Sequence, residues 1–466
     1  MGVGVGWLAK PPTISPEVQA QIDTLTSERD SAISERDGAI SERDALQTQL
    51  ADAQSELDAV QALIDEMKTA IVGIGGEAPI TSTLTGEVKL GGLFSLSGDL
   101  ASYGENEQAA ALLAVDHVNA FLDSLGAGWT IALVSEDTQT TPSVCLEKVE
   151  SFAARGIKLL IGPLSSGEVR AIKGYCDANK ILAISQSSTA PDLSIPDDYI
   201  FRFCPSDKFG QGPAIGRILY DDGKRYVITI SRNDPWGVGL EEAAGDRFTE
   251  LGGTVLQGIR YAPGAVEFSA EAADLAAKVQ SAVDLYGADE VCVLDISFEE
   301  VNAIFTAASE YDVLSSVKWF GSDGTCAAGS MVEDPVVAAF SVSVEYPSTI
   351  FAPTESAKWE LVRQNGIKVL GREPESYSYA IYDIVWAYAL SVMKTDSTDP
   401  EVIKGVLPTV TASFFGASGW IELDATGDRE AGDYVIWQIQ ETTTGEYEWK
   451  VVGKYVLSSD TVEWSD

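Results

Sequence analysis

Three short stretches carry polar side chains in patterns that suit holding a small charged molecule. Ser165-Ser166-Gly167-Glu168 follows an apolar run and opens a helical pattern. The free N–H groups of a helix start, joined by a hydroxyl, make an anion site. The same four residues also read as a capping box, with Ser165 as N-cap and Glu168 reaching back, and the two roles are compatible. Ser187, Ser188 and Thr189 follow the next apolar run, just before Pro191. They form either a second hydroxyl-bearing binding loop or an ordinary Ser/Thr-rich turn. Asp323, in GSDG, is either a simple turn former or a carboxylate facing a cleft, where a dry site demands a cationic partner. Catalytic chemistry has little support. His117 is the only histidine, on the flank of a helix's apolar face, and there is no G-x-S-x-G nucleophile motif. The glycines of the early GVGVG precede no strand and make no phosphate loop.

These loops need a scaffold, and residues 88–119 show what kind. They read as a buried strand at 88–94, the turn SLSGDLASYG containing Tyr103, and a helix from near Gly104. Ala110, Leu113, Ala114, Val118 and Phe121 recur at three- and four-residue spacing, so one helix face packs back on the sheet. In an open α/β sheet such a turn lies at the carboxyl end of its strand, where these folds bind ligands. The alternation then continues, with strands expected at 130–135, 158–162, 181–185 and 199–203. A second series is expected at 225–230, 254–261, 290–295, 317–321 and 340–345, with helices such as 239–251 and 270–286 between. A long helix at about 376–393 and a β-rich tail from Gly419 close the chain. The expected class is α/β, with two doubly wound parallel sheets. The late elements belong to neither series alone, which implies two lobes crossed more than once.

A chain of 466 residues exceeds a single core. Its 71 acids against 31 bases leave a formal charge of −40, which disfavours nucleic acid or an anionic membrane surface as partner. A strongly hydrated, salt-tolerant surface is the plain reading of that excess. No run reaches the roughly 20 apolar residues that span a bilayer. Residues 1–20, beginning MGVGVGWLAKPP, read as the trailing edge of a membrane anchor or signal segment, or as a flexible start. Residues 21–72 carry a heptad array with the near-repeat SERDSAI, SERDGAI, SERDALQ. One seam holds Ile22, Arg29, Arg36, Arg43, Leu50, Leu57, Ile64 and Ile71, and the other Leu25, Ala32, Ala39, Leu46, Ala53, Val60 and Met67. That period describes a coiled coil about 75 Å long, either an oligomerising stalk or a solvated spacer helix. Residues 73–86, with Gly-Gly, Pro79 and a Thr/Ser run, read as a linker. Five scattered cysteines show no C-x-x-C spacing, so neither a zinc site nor a redox pair is suggested, and no cofactor or metal is expected.

Several motifs stand in a recognisable order: GGLFSLSGDLASYGE, EDTQTTPSVC, IGPLSSGEV, ISQSSTAPDLS, FRFCPSDKFGQG, SRNDPWGVGLEEA, APGAVEFSA, GSDGT and IELDATGDREAGDY. Over about 87–457 the chain resembles the type I periplasmic binding proteins, especially the branched-chain amino-acid binding components of ABC importers. The resemblance implies a two-lobed fold with three crossovers, placed near Pro205, Pro347 and Gly419. One lobe then comprises 87–205 and 347–418, and the other 206–346 and 419–466. It further implies that Ser166 and Thr189 hold a ligand carboxylate, with Ser187 as a backbone contact and Ser188 in the same loop. Asp323 then takes the ligand ammonium, which separates amino-acid binders from amide or urea binders. Tyr103 and Trp236 face each other across the cleft, Trp236 standing where Tyr is frequent and narrowing the side-chain space, while Phe298 falls where a cleft aromatic is common. In relatives the position of Cys145 can be bridged to the residue preceding the carboxylate serine. Here that residue is Ser165, so this bridge is absent. Cys145 and Cys176 belong near opposite ends of parallel helices, too far apart for a disulfide.

The implied function is extracytoplasmic capture of a small, aliphatic amino acid for delivery to ABC permease subunits, with tethering through the N-terminal segment and self-association through the coiled coil. A sensing ectodomain that signals through its stalk, or a binder of a short amide or urea, is the alternative.

Overall fold

The computed structural model describes residues 82–465 together with Arg29, Arg36 and Arg43. The expected anchor, most of the heptad array and most of the linker lie outside the described residues. The three seam arginines are helical and exposed. Among the described residues no helix is long and apolar enough to cross a membrane.

The first sheet has the order β2-β1-β3-β4-β5, built from β1 (Gly86–Phe94), β2 (Trp129–Asp137), β3 (Leu159–Ile161), β4 (Leu182–Ser185) and β5 (Ile200–Arg202). All its pairings are parallel, as expected of apolar strands alternating with helices. The helix Ala101–Ser124 follows β1 after the turn 95–100 and folds back close to the end of that strand. Gly104 makes that possible, since a Cβ there would lie 2.1 Å from the carbonyl oxygen of Ser95. Ala110, Ala114, Val118 and Phe121 from this helix join Val88, Leu90, Ile161 and Ile184 in one core. The long helix Ser376–Thr395 contributes Tyr382, Trp386 and Leu390 to the same core, so the chain returns late to its first lobe. His117 sits here as well, its Nδ1 2.8 Å from the Tyr382 hydroxyl, in a packing role.

The second sheet has the order β10-β9-β6-β7, from β6 (Tyr226–Arg232), β7 (Thr254–Val255), β9 (Val291–Ile296) and β10 (Lys318–Phe320), while β8 (Ile259–Tyr261) also pairs with β6. The single strand expected at 254–261 is thus two short ones. Between them Gly258 approaches β6 so closely that a Cβ would fall 1.9 Å from Thr229 Oγ1. The strand expected at 340–345 is absent, because Pro335–Ser343 is a helix and the chain then turns. The alternating FSVSV suggested a period of two, but Asp334 accepts hydrogen bonds from the N–H groups of Val336 and Val337 at 2.9 and 3.3 Å. With Pro335 at the first helical position, that cap fixes a helix.

A third sheet, β11-β14-β15-β16, is antiparallel and consists of β11 (Pro347–Phe351), β14 (Tyr434–Glu441), β15 (Tyr447–Val456) and β16 (Thr461–Trp464). A small hairpin, β12 (Phe415–Gly416) with β13 (Gly419–Trp420), lies between β11 and β14 in the chain. Ile436 and Ile439 of β14 pack into the second core, whereas β11 follows directly on that lobe's last helix. The passages between lobes are bonded to one another. Gln211 Nε2 donates to the Thr349 carbonyl at 2.7 Å, and Tyr434 lies against Gly210, where a Cβ would meet its hydroxyl at 2.2 Å.

Candidate functional site

The helix Ser166–Asn179 begins with the expected capping box. The Glu168 N–H donates to Ser165 Oγ at 3.3 Å, and the Ser165 N–H donates to Glu168 Oε2 at 3.1 Å. The N–H groups of Ser166 and Gly167, by contrast, have no acceptor within the helix. Ser166 Oγ accepts from the Ala190 N–H at 3.2 Å, and Ser187 Oγ donates to the Leu164 carbonyl at 2.9 Å. These two bonds lock the hydroxyl loops after β3 and β4 into one surface.

Asp323 approaches that surface from the second lobe. It is 3% exposed. Its Oδ2 accepts from the Tyr377 hydroxyl at 2.6 Å, and its Oδ1 has no partner. Burial pushes this carboxyl up to about 6, with Tyr377 foremost among the groups opposing the rise. The Tyr103 hydroxyl donates across the cleft, to the carbonyls of Asp323 at 2.7 Å and Cys326 at 2.6 Å. Trp236 stacks on Phe298 with ring centroids 4.5 Å apart, and the Arg232 guanidinium sits 4.6 Å from the Phe298 centroid on the outer side. Arg232 also reaches across the mouth to Asp99 at 2.8 Å, while Ser102 Oγ donates to Glu299 at 2.6 Å. The lobes are therefore closed on each other.

Tyr103, Ser166, Ser187, Trp236, Phe298 and Asp323 line one small cavity together with Tyr377. Its volume is only about 20 Å³, room for about one water. Ser188 and Thr189 do not reach its wall. They lie buried behind it with unpartnered hydroxyls. Ser188 contributes its carbonyl to Arg202 instead, at 2.6 Å from Nη1.

Sequence reasoning missed four neighbours of the site. Tyr377 is the partner of Asp323. Asp207 is fully buried with both carboxylate oxygens unpartnered. Burial first, then the nearby Asp323 carboxylate, pushes its carboxyl well above the usual range, against the influence of Thr189 and Arg202. Gln211 presents an unpartnered Oε1. Arg202, also fully buried, forms a bidentate pair with Asp428 and donates to the carbonyls of Ser188 and Ala190, which frame the second hydroxyl loop. The one readable signal was Arg202, a charge in the middle of the apolar strand IFRF. All five cysteines are buried free thiols.

The family model described as "Receptor family ligand binding region" matches residues 106–442. The chain belongs to that receptor ligand-binding family. An uncharacterised protein of Methanocaldococcus jannaschii is 32% identical over 395 residues, covering 81% of this chain and 91% of the relative. The Leu/Ile/Val-binding protein homolog 1 of Brucella suis is 25% identical over 391 residues, covering 81% of this chain and 95% of its own. Among solved structures, the branched-chain amino acid transporter substrate-binding protein LivJ of Streptococcus pneumoniae, in complex with isoleucine, superposes with a TM-score of 0.62 at 20% identity, covering 78% of this chain and 99% of LivJ. This member of the receptor ligand-binding family thus has the two-lobed type I periplasmic-binding-protein fold.

Proposed function

We propose that the protein is the extracytoplasmic binding component of an ABC importer and that it captures a small aliphatic amino acid, branched-chain ones foremost, by hinge closure. The observation that carries this reading is the convergence of Ser166, Ser187 and Asp323 on one cavity from opposite lobes. In this proposal the α-carboxylate rests on the helix start at Ser166 and on Ser187, with Ser188 and Thr189 shaping the same loop from behind. The ammonium meets Asp323, with Asp207 behind it. Tyr103, Trp236 and Phe298 form the apolar walls. The hinge passes near Pro205, Pro347 and Gly419, dividing 87–205 with 347–418 from 206–346 with 419–466. The N-terminal segment tethers the protein outside the membrane, the heptad array associates copies, and permease subunits receive the cargo. Because the cavity is so small, closure over cargo stops short of this geometry, and small side chains are favoured. The test is a thermal-shift screen followed by calorimetry with L-leucine, L-isoleucine, L-valine, short amides and urea, since a ligand of the folded form raises its melting point. Stabilisation by amides or urea, and by none of the amino acids, would overturn the reading.

The pH dependence has a definite sign. A carboxyl whose value rises on folding holds an extra proton in the native state, so stability is lost as pH climbs from the unfolded value of about 4 through the folded one. For Asp323 that folded value is about 6. An ammonium replaces the proton, so affinity for L-leucine should rise by up to about tenfold per pH unit below 6 and level off above 7. Calorimetry in buffers of different ionisation heat should show proton release on the acid side. An affinity flat between pH 5 and 7 would remove Asp323 from the ammonium site.

Closure can also be obstructed from outside the cavity. Gly239, in the helix Pro235–Glu250, faces Pro191 of the other lobe so closely that a Cβ would lie 2.6 Å from the proline Cδ. Gly239→Ala should improve the helix itself by up to about 1 kcal/mol while opposing closure by about 1–3 kcal/mol. The expected outcome is an unchanged or higher melting temperature, weaker amino-acid binding and a larger radius of gyration by solution scattering. Wild-type affinity in this variant would show that the two lobes do not need this contact to close.

A further inference from the structure

A large groove lies away from the cleft, on the antiparallel sheet. It is a groove of about 810 Å³ between β14–β16, the start of the helix Ala357–Leu370 and the segment 420–433. A second groove shares Trp359, Glu373, Trp437 and Val451 with it, so the two form one extended trough. The exposed rings are Trp420 and Trp464, at 56% and 45%. Contiguous exposed apolar surface of this kind marks interaction sites, and Trp is the residue most enriched where binding energy concentrates.

The chemistry of the walls identifies the occupant. Three cations already sit over rings of this groove: Arg429 4.6 Å from the Phe351 centroid, Arg363 5.6 Å from Trp359, and Lys318 6.0 Å from Trp464. Arg363 is completed by Glu373 at 3.1 Å. The combination of ring and carboxylate recurs on the rim, where exposed Glu422, Glu430 and Glu463 flank Trp420 and Trp464 but pair with no cation among the described residues. A second copy of this chain, itself at −40, would be repelled from such a rim, whereas a cationic chain is drawn to it. We propose that this trough docks an extended, arginine- or lysine-bearing segment of a partner protein. The site is separate from the amino-acid cleft, and the proposal does not rest on what the cleft binds.

The test is fluorescence anisotropy of the intact protein with a fluorescein-labelled peptide of alternating arginine and glycine, and with its glutamate–glycine counterpart. The arginine peptide should bind, more weakly as salt is raised, and the glutamate peptide should not. W420A/W464A keeps the net charge, and both residues are exposed, so folding is retained and is checked by melting temperature. It should weaken binding by about tenfold or more. The triple variant Glu422→Gln, Glu430→Gln, Glu463→Gln should do the same, while Glu147→Gln with Glu150→Gln on a distant helix should leave binding unchanged. Equal binding by wild type and W420A/W464A would reduce the effect to general attraction by an acidic surface and overturn the proposal. So would failure of the arginine peptide to bind, or competition by a neutral oligosaccharide in place of the peptide.

Discussion

Asp323→Ala is expected to weaken L-leucine binding by about 2–5 kcal/mol, roughly thirty- to several-thousand-fold. The size follows from burial. An ammonium held in the cleft without its carboxylate keeps the desolvation penalty and loses the charge-assisted hydrogen bond. The substitution also strands the Tyr377 hydroxyl, which donates to Asp323 Oδ2, and this adds a smaller structural cost. Asp323→Asn separates the two effects. It preserves an acceptor for Tyr377 but cannot neutralise an ammonium, so its loss of affinity should approach that of the alanine variant while its melting temperature stays near wild type. Titration calorimetry of both variants decides the matter. Unchanged leucine affinity in either would show that the ligand is not held through a cationic end at this position.

Arg202→Met should reduce folding stability by about 3–5 kcal/mol, the usual cost of leaving a buried charge without its partner. Asp428, 2% exposed, would be the stranded group. Adding Asp428→Met should recover most of the loss, because a buried ion pair replaced as a whole by apolar groups is often close to neutral. Affinity should behave differently. Arg202 Nη1 also holds the carbonyls of Ser188 and Ala190 at 2.6 and 2.8 Å, and neither methionine can replace those bonds. The double variant should therefore melt near wild type yet bind the amino acid more weakly. Recovery of both stability and affinity would show that Arg202 does not position the loop.

The sheets were legible because each buried parallel strand is a short apolar run followed by an amphipathic helix, a pattern that survives without tertiary information. The capping box at Ser165 and Glu168 was legible for the same reason, since its bonds join residues three apart. The strand expected at 340–345 failed where local signals competed: β-branched alternation pointed one way and the Asp334-Pro335 cap the other, and the cap prevailed. The candidate site was legible in the residues themselves where hydroxyls crowd a strand end, as at Ser166 and Ser187, whereas Asp323, Tyr103, Trp236 and Phe298 came into view through the family resemblance. Tyr377 and Asp207 carry no such mark. Tyr377 opens a helix that reads as core, and Asp207 looks like one more turn acid in a chain with 71 acidic residues. Their importance comes from crossovers that bring positions distant in sequence into contact, Tyr377 lying 54 residues beyond Asp323, which no local pattern records.

The bonded passages between the lobes limit how the molecule can move. β11 and β14 run side by side as one ribbon, Gln211 is tied to Thr349, and Tyr434 is wedged against Gly210. Three independent threads would let the halves slide, swivel or splay. Fastened together they act as a single axle, leaving rotation about one line as the easy motion. In the proposed function, a ligand entering the gap is then met along one fixed arc, so selection would act through trajectory as well as fit.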